Sequence, residues 1–333
     1  MSTDPNPPVP VSKLLLVAPN WLGDGIMLMP ALQLLRQLQP ELRIDLLCKA
    51  SQLGLWSMHP ALDAVHLIPK SMKTWPELAK AFRGHERAVI IPNSFRSALL
   101  PRLAGIPIRR GTADQFGRGL LINEAVDLSP FGQRHQQWEN AELLLEELPE
   151  NLPPPDLHPP EAALDKAAAW LEALPKPWLA CIPAAARGPS KEWPESRFLE
   201  ASKRWRSETG GSVLWLGGPP DRERCLALEA ESPERAISLA GQSSLSEFAA
   251  LLKLADRVLA NDSGGMHVAA AVGTPPVAIY GLTDPDKTGP LHPQAQLLQA
   301  PGKRSREIPR ESAEAVAALE KIQVDEVIQA LLK

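Results

Sequence analysis

Aromatic residues are scarce in this chain, 5% of the total, and lopsided, with nine Trp against one Tyr. Cysteine is scarcer. Cys48, Cys181 and Cys225 lie far apart and form no CxxC or Cys/His spacing, so buried, reduced thiols in a reducing cytoplasm are expected and no metal site is. No apolar run reaches the roughly 18–20 residues that a membrane span needs. Residues 1–10 are polar and proline-rich, without the charged-then-apolar pattern of a signal peptide. There is no short-period repeat. No GxGxxG follows the first strand-like run, which disfavours an NAD-dependent dehydrogenase. Nor is charge strongly one-sided, at −4 over 333 residues. These absences leave a cytoplasmic protein, soluble or at most peripheral to a membrane, with no nucleic-acid partner expected.

What is present is length enough for two domains, and 35 prolines. Short β-rich runs alternate with helical patterns, which points to parallel α/β architecture. In the first half, strands are predicted at 13–18, 44–48, 64–67 and 88–92. Helices are predicted at 29–39, 53–58, 75–83, 94–104 and 139–148. Residues 149–160, PENLPPPDLHPP, cannot hold regular helix or sheet, because proline lacks a donor and fixes φ. A second series follows, with strands at 178–182, 212–216, 236–238, 257–260 and 277–280. Its helices are predicted at 161–174, 195–207, 222–231, 244–254, 265–272 and within 312–333. The expected organisation is a disordered tail at 1–12, a Rossmann-like domain at 13–148, a linker at 149–160 and a second Rossmann-like domain at 161–333. The last helix is expected to pack back on the first domain.

Strand ends are where such folds keep their ligands, and four stretches there carry chemistry. After the first strand, LLLVAPNWLGDGIMLMPALQLL holds one carboxylate, Asp24, between Gly23 and Gly25. It either caps the helix that starts near residue 26 or points into a site. In the second half, Asn261-Asp262 is followed by Ser263-Gly264-Gly265 and a helix, with His267 in its first turn. Exposed N–H groups and a positive dipole end suit an anion there; alternatively Asp262 or Ser263 simply caps the helix. The segment IPAAARGPSKEWP offers Arg187 and Lys191 in a proline-broken loop, as a phosphate clamp or as solvated surface. Gly217 and Gly241 close further strands with small residues and leave room for a base or ribose. Between residues 66 and 134, eleven Lys/Arg stand against five Asp/Glu, either a solvated face or a surface for an anionic partner.

Taken together, NWLGDGIMLMPAL, IIPNSFRSALLPRLAGIPIRRG, GPSKEWP and NDSGGMHVAAAVGTPPVAIYGLTDP resemble the family 9 glycosyltransferases, in order, from about residue 13 to the C-terminus. The resemblance is strongest to the members that add the second heptose of lipopolysaccharide. It implies a GT-B fold with the active site in a cleft between the domains. It also implies inverting transfer of L-glycero-D-manno-heptose from ADP-heptose, a substrate, to the lipopolysaccharide inner core, with no cofactor and no metal, at the cytoplasmic face of the inner membrane. By family position Asp24 is the catalytic base and Lys191 the cation that meets the leaving diphosphate. Ser263, Gly264 and Gly265 supply N–H groups, Asp262 binds sugar hydroxyls, His267 supports the phosphate turn, and Arg187 lies in the donor loop. Pro183-Ala184-Ala185 stands where the family commonly has Pro-Gly-Ala, and Arg187 replaces a residue often acidic or aromatic.

Acceptors of this kind carry carboxylates and the phosphates of lipid A, which gives the basic stretch a use. Asn93, Ser94, Arg96 and Arg110 are the expected acceptor-side residues, with Arg109 and Arg118 beside them. Two rival readings stand beside this one: a family 9 transferase adding the first or third heptose or another sugar, and a non-catalytic two-domain binder of a nucleotide sugar.

Overall fold

Buried parallel strands read as continuous apolar runs, because both faces are covered by helices. Lys13–Val17 (β1), with only its first residue exposed, and the fully buried Trp178–Ile182 and Pro276–Tyr280 are of this kind. The computed structural model describes residues 11–333. The tail expected to be disordered lies, for residues 1–10, outside the described residues. Ser12, at its end, is held: its N–H and Oγ donate to the Glu86 carboxylate at 2.6 and 2.8 Å.

The chain divides into two compact units. One runs up to Asn20, then Leu28–Gly132 and Gln137–Pro153; the other is Trp21–Met27, Gln133–Gln136 and Pro154–Lys333. Thus two short pieces of the first half group with the second unit.

The first unit holds β1, Arg43–Cys48 (β2), Ala64–Leu67 (β3), Arg87–Ile90 (β4), Ile108–Gly111 (β5) and Glu124–Ala125 (β6) in one parallel sheet, ordered β3-β2-β1-β4-β5-β6. Its helices are most of Leu22–Leu38 (α1), then Leu53–Trp56 (α2), Trp75–Ala81 (α3), Phe95–Leu103 (α4) and nearly all of Gln136–Leu144 (α5). A core of Leu15, Val17, Trp75, Phe82, Ile90, Leu100 and Ile106 packs between sheet and helices.

The second unit repeats the plan. Trp178–Ile182 (β7), Ser212–Trp215 (β8), Ala236–Ser238 (β9), Arg257–Asn261 (β10), Pro276–Tyr280 (β11) and Gln296–Gln299 (β12) form a parallel sheet ordered β12-β11-β10-β7-β8-β9. Around it lie Glu161–Leu171 (α6), Glu195–Thr209 (α7), Arg222–Ala230 (α8), Leu245–Leu254 (α9), Gly264–Ala271 (α10), Pro285–Thr288 (α11), Ala313–Leu319 (α12) and Val324–Leu331 (α13). Within its own unit the closing helix packs on α7 and over β10, β11 and β12. Residues 149–160 hold no helix or strand, yet the segment is packed: Leu157 is buried and its N–H donates to the Ala271 carbonyl at 2.9 Å. All three cysteines are buried and unbridged. Among the described residues no helix is long and apolar enough to cross a membrane, and no cluster of His, Cys, Asp or Glu could hold a metal ion.

Candidate active site

Both sheets have the order 3-2-1-4-5-6 when each is numbered from its own first strand. The chain leaves the central pair in opposite directions, and a crevice opens beyond their carboxyl ends. In the second unit that pair is β7 and β10, so the loop 183–194 and the turn after Asn261 border the crevice. Lys191 and Asp262, one from each, meet as an ion pair, and both side chains are nearly buried. Asn261 fixes the two segments together. Its Oδ1 accepts from the Trp193 N–H at 3.0 Å and its Nδ2 donates to the Pro183 carbonyl at 2.8 Å. Sequence reading missed this residue, which carries no signal beyond its place before Asp262.

Helix α10 starts directly after Ser263. Ser263 accepts no hydrogen bond from that first turn, and its hydroxyl is buried without a partner, as is the Ser190 hydroxyl beside Lys191. Neither capping alternative describes this end, since Asp262 is engaged by Lys191. His267 is buried and its Nδ1 has no partner. Burial above all, helped by the charges of His135 and Lys191, pulls its pKa down to about 3. The ring is therefore a neutral imidazole, and the expected support for a phosphate is limited to a single N–H rather than a charge.

The glycines have a packing role that the sequence did not reveal. A Cβ on Gly264 would come within 2.9 Å of Leu22 Cδ2, one on Gly23 within 2.8 Å of His267 Cδ2, and one on Gly265 within 2.6 Å of Ile182 Cδ1. The first turn of α1 thus lies directly against the first turn of α10.

Asp24 sits in that first turn of α1. The helix begins at Leu22, four residues before the expected start, and its first turn closes through Gly25 N–H to the Trp21 carbonyl at 3.0 Å. Asp24 Oδ1 accepts from Gln136 Nε2 at 3.2 Å. Burial pushes the Asp24 carboxyl above the ordinary carboxylate value, against the opposing pull of the Gln136 hydrogen bond and of the charges on Arg187, Arg306 and Lys191. Arg187 lies on an exposed turn with its guanidinium 5.9 Å from the Trp21 ring centroid. Gln136 and Arg306 were not foreseen, because one opens α5 and the other follows β12, far from Asp24 along the chain.

Gly217 and Gly241 end β8 and β9 on the same sheet edge. The Gly241 N–H donates to the Gly217 carbonyl at 3.0 Å; Gly241 has φ +69°, and a Cβ on Gly217 would meet Asp221 at 2.7 Å. Both are required by the turns themselves.

The acceptor candidates lie in the first unit. Ser94 caps α4, accepting from the Ser97 N–H at 3.2 Å, and Asn93 approaches Asp114 at 3.5 Å. Arg96 is exposed, stacks 5.1 Å over Trp75 and donates to the Lys70 carbonyl at 3.0 Å. Arg110 departs from its expected role. From β5 it donates to the Leu143 and Glu142 carbonyls at 3.0 and 2.8 Å and pairs with Glu124, so it closes the carboxyl end of α5. Arg118 is wholly buried on backbone carbonyls, and Arg109 likewise binds the Leu121 and Ile106 carbonyls. Three of the eleven basic residues of that stretch thus serve the scaffold.

Two parallel sheets of this order on one chain, each with ligand room at its strand ends, are the layout of the GT-B fold that many glycosyltransferases share. The model of glycosyltransferase family 9 (heptosyltransferase) matches residues 75–317, and the chain belongs to that family. It is 29% identical to lipopolysaccharide heptosyltransferase 2 of Escherichia coli (strain K12) over 306 residues, 86% of this chain and 88% of the relative. The lipooligosaccharide heptosyltransferase 2 of Haemophilus ducreyi is also 29% identical, over 309 residues, with the same coverage. The solved structure of E. coli ADP-heptose lipopolysaccharide heptosyltransferase II superposes with a TM-score of 0.84 at 27% identity, covering 96% of this chain and 97% of that one.

Proposed function

We propose that this chain transfers L-glycero-D-manno-heptose from ADP-heptose to the inner core of lipopolysaccharide, as the second heptose, with inversion and without a metal ion. The observation that carries this reading is one carboxylate, Asp24, raised in pKa by burial and set within electrostatic reach of Lys191, Arg187 and Arg306. Near full-length similarity to proteins named as second heptosyltransferases supports the substrates.

In the proposed step an acceptor hydroxyl attacks the anomeric carbon from the side opposite the diphosphate. Asp24 takes the hydroxyl proton as the new C–O bond forms, and a raised pKa improves it for that task. The bond from the anomeric carbon to the β-phosphate oxygen breaks, and ADP leaves with the electron pair. Lys191 meets the developing negative charge, exchanging its Asp262 partner for the phosphate. Asp262 is then available to the sugar hydroxyls. The N–H groups opening α10, the Ser263 hydroxyl and neutral His267 are fixed donors for the same diphosphate. The acceptor's lipid anchor places the enzyme peripherally at the cytoplasmic face of the inner membrane.

The test is direct. Purified protein incubated with ADP-heptose and truncated core acceptors in EDTA should yield an acceptor heavier by one heptose, only where the first heptose is already present. Addition to a heptose-free acceptor instead would reassign it to the first step, and no addition to any acceptor would reject the reading.

A further inference from the structure

Two large apolar side chains protrude from the first unit. Phe116 is fully exposed and Leu120 is 82% exposed, both on the segment that follows β5. Isolated exposed apolar residues need no explanation, but these two have company. Gly117 lies against the Phe95 ring, where a Cβ would be 3.6 Å away, and Phe95 is itself exposed at the start of α4. On its other side, Arg96 reaches the Lys70 carbonyl, and the segment after β3 brings exposed Lys70, Met72 and Lys73. Everything in this patch follows the carboxyl end of β3, β4 or β5, so it lies along the carboxyl-end rim of the first sheet. The segment is not loose: buried Arg118 anchors it, through the Thr112 carbonyl at 2.5 Å and Ser97 Oγ at 3.0 Å.

We infer that this edge is a membrane-contacting surface, in which Phe116 and Leu120 enter the headgroup–acyl boundary of an anionic lipid bilayer while Lys70, Lys73 and Arg96 engage the headgroups. Protruding apolar side chains that share one sheet end with exposed cations fit that interface on both counts. Asp114, Glu77 and Glu124 are the acids nearest in sequence; Glu77 is already paired with Lys80 at 2.7 Å and Glu124 with Arg110. A stable protein partner or a second copy of this chain would bury roughly 800 Å² on each side, a broader apolar area than Phe116 and Leu120, flanked by Phe95 and Met72, offer. The inference deepens the reading that the acceptor is lipid-borne by naming the surface that meets the lipid.

The experiment uses the full chain without ADP-heptose or acceptor, sedimented with vesicles of phosphatidylglycerol and phosphatidylethanolamine or of phosphatidylcholine alone. The chain should bind the anionic vesicles, bind phosphatidylcholine far less, and release in high salt. The double variant Phe116→Ser/Leu120→Ser should bind about 10-fold more weakly or worse, with ADP affinity and circular dichroism unchanged. The single Phe116→Ser variant, at a fully exposed position, guards against misfolding. Failure of the wild-type chain to bind either vesicle, or undiminished binding by the variants, overturns the inference. So does a lipid-free dimer that the double variant dissociates. Heptose transfer to a soluble acceptor is measured separately, so loss of transfer with vesicle binding intact sinks only the functional reading, and the converse sinks only this one.

Discussion

Lys191 lies nearly buried against Asp262, so a diphosphate that takes the lysine must displace a carboxylate. Removing the amine then loses the charge stabilisation of the departing ADP, an effect worth about 3 kcal/mol for a single fixed donor. Lys191→Ala is expected to lower kcat by ~100-fold or more, measured with saturating ADP-heptose and acceptor. His267 supplies a second residue-level prediction. Its pKa is about 3 in the folded chain against 6.5 ordinarily. Between those values the unfolded chain binds more protons, so the stability gained by burying a neutral ring is complete above pH 6.5 and is lost as pH falls toward 3. The slope from this group is about 1.4 kcal/mol per pH unit. Urea midpoints measured from pH 7 to 4 should fall less steeply for His267→Gln than for the unaltered chain.

The elements explain which parts of the sequence were legible. Buried strands such as β1 (after Lys13), β7 and β11 are apolar and were predicted within a residue or two of their observed bounds. Strands β5, β6 and β12 were not predicted. Their sequences, IRRG, EA and QLLQ, are short and polar, and they pair only because neighbouring strands present free edges. Helix α1 was expected to open near residue 26, with its clear pattern at 29–39; the structure starts it at Leu22 and holds Pro30 inside. The scaffold contacts of the β5 arginines were missed for the same reason as the strand itself. Without a strand, nothing sent the Arg110 guanidinium to the carboxyl end of α5. Arg110→Ala should therefore destabilise the fold by about 1–2 kcal/mol, visible as a lower urea midpoint, while acceptor KM stays within about twofold. A large rise in KM at unchanged stability would restore Arg110 to the acceptor side.

On the scale of the whole molecule, the two sheets share one strand order, and that order makes strand-end loops the place for a site. The sequence pattern located those loops correctly, because strand followed by small residues and a helix is a local signal. Gln136, Arg306 and Asn261 were invisible to it, since their roles arise from long-range contacts. So was the packing duty of Gly23 and Gly264, which seat one helix start on another. What the account rests on is the carboxylate of α1's first turn, brought among cations from elsewhere in the chain. The most direct measurement is single-turnover heptose transfer by Asp24→Asn beside its ADP affinity. The account predicts a rate lower by about 10²–10⁴-fold with ADP affinity within about threefold of the unaltered chain; transfer at an undiminished rate would contradict it.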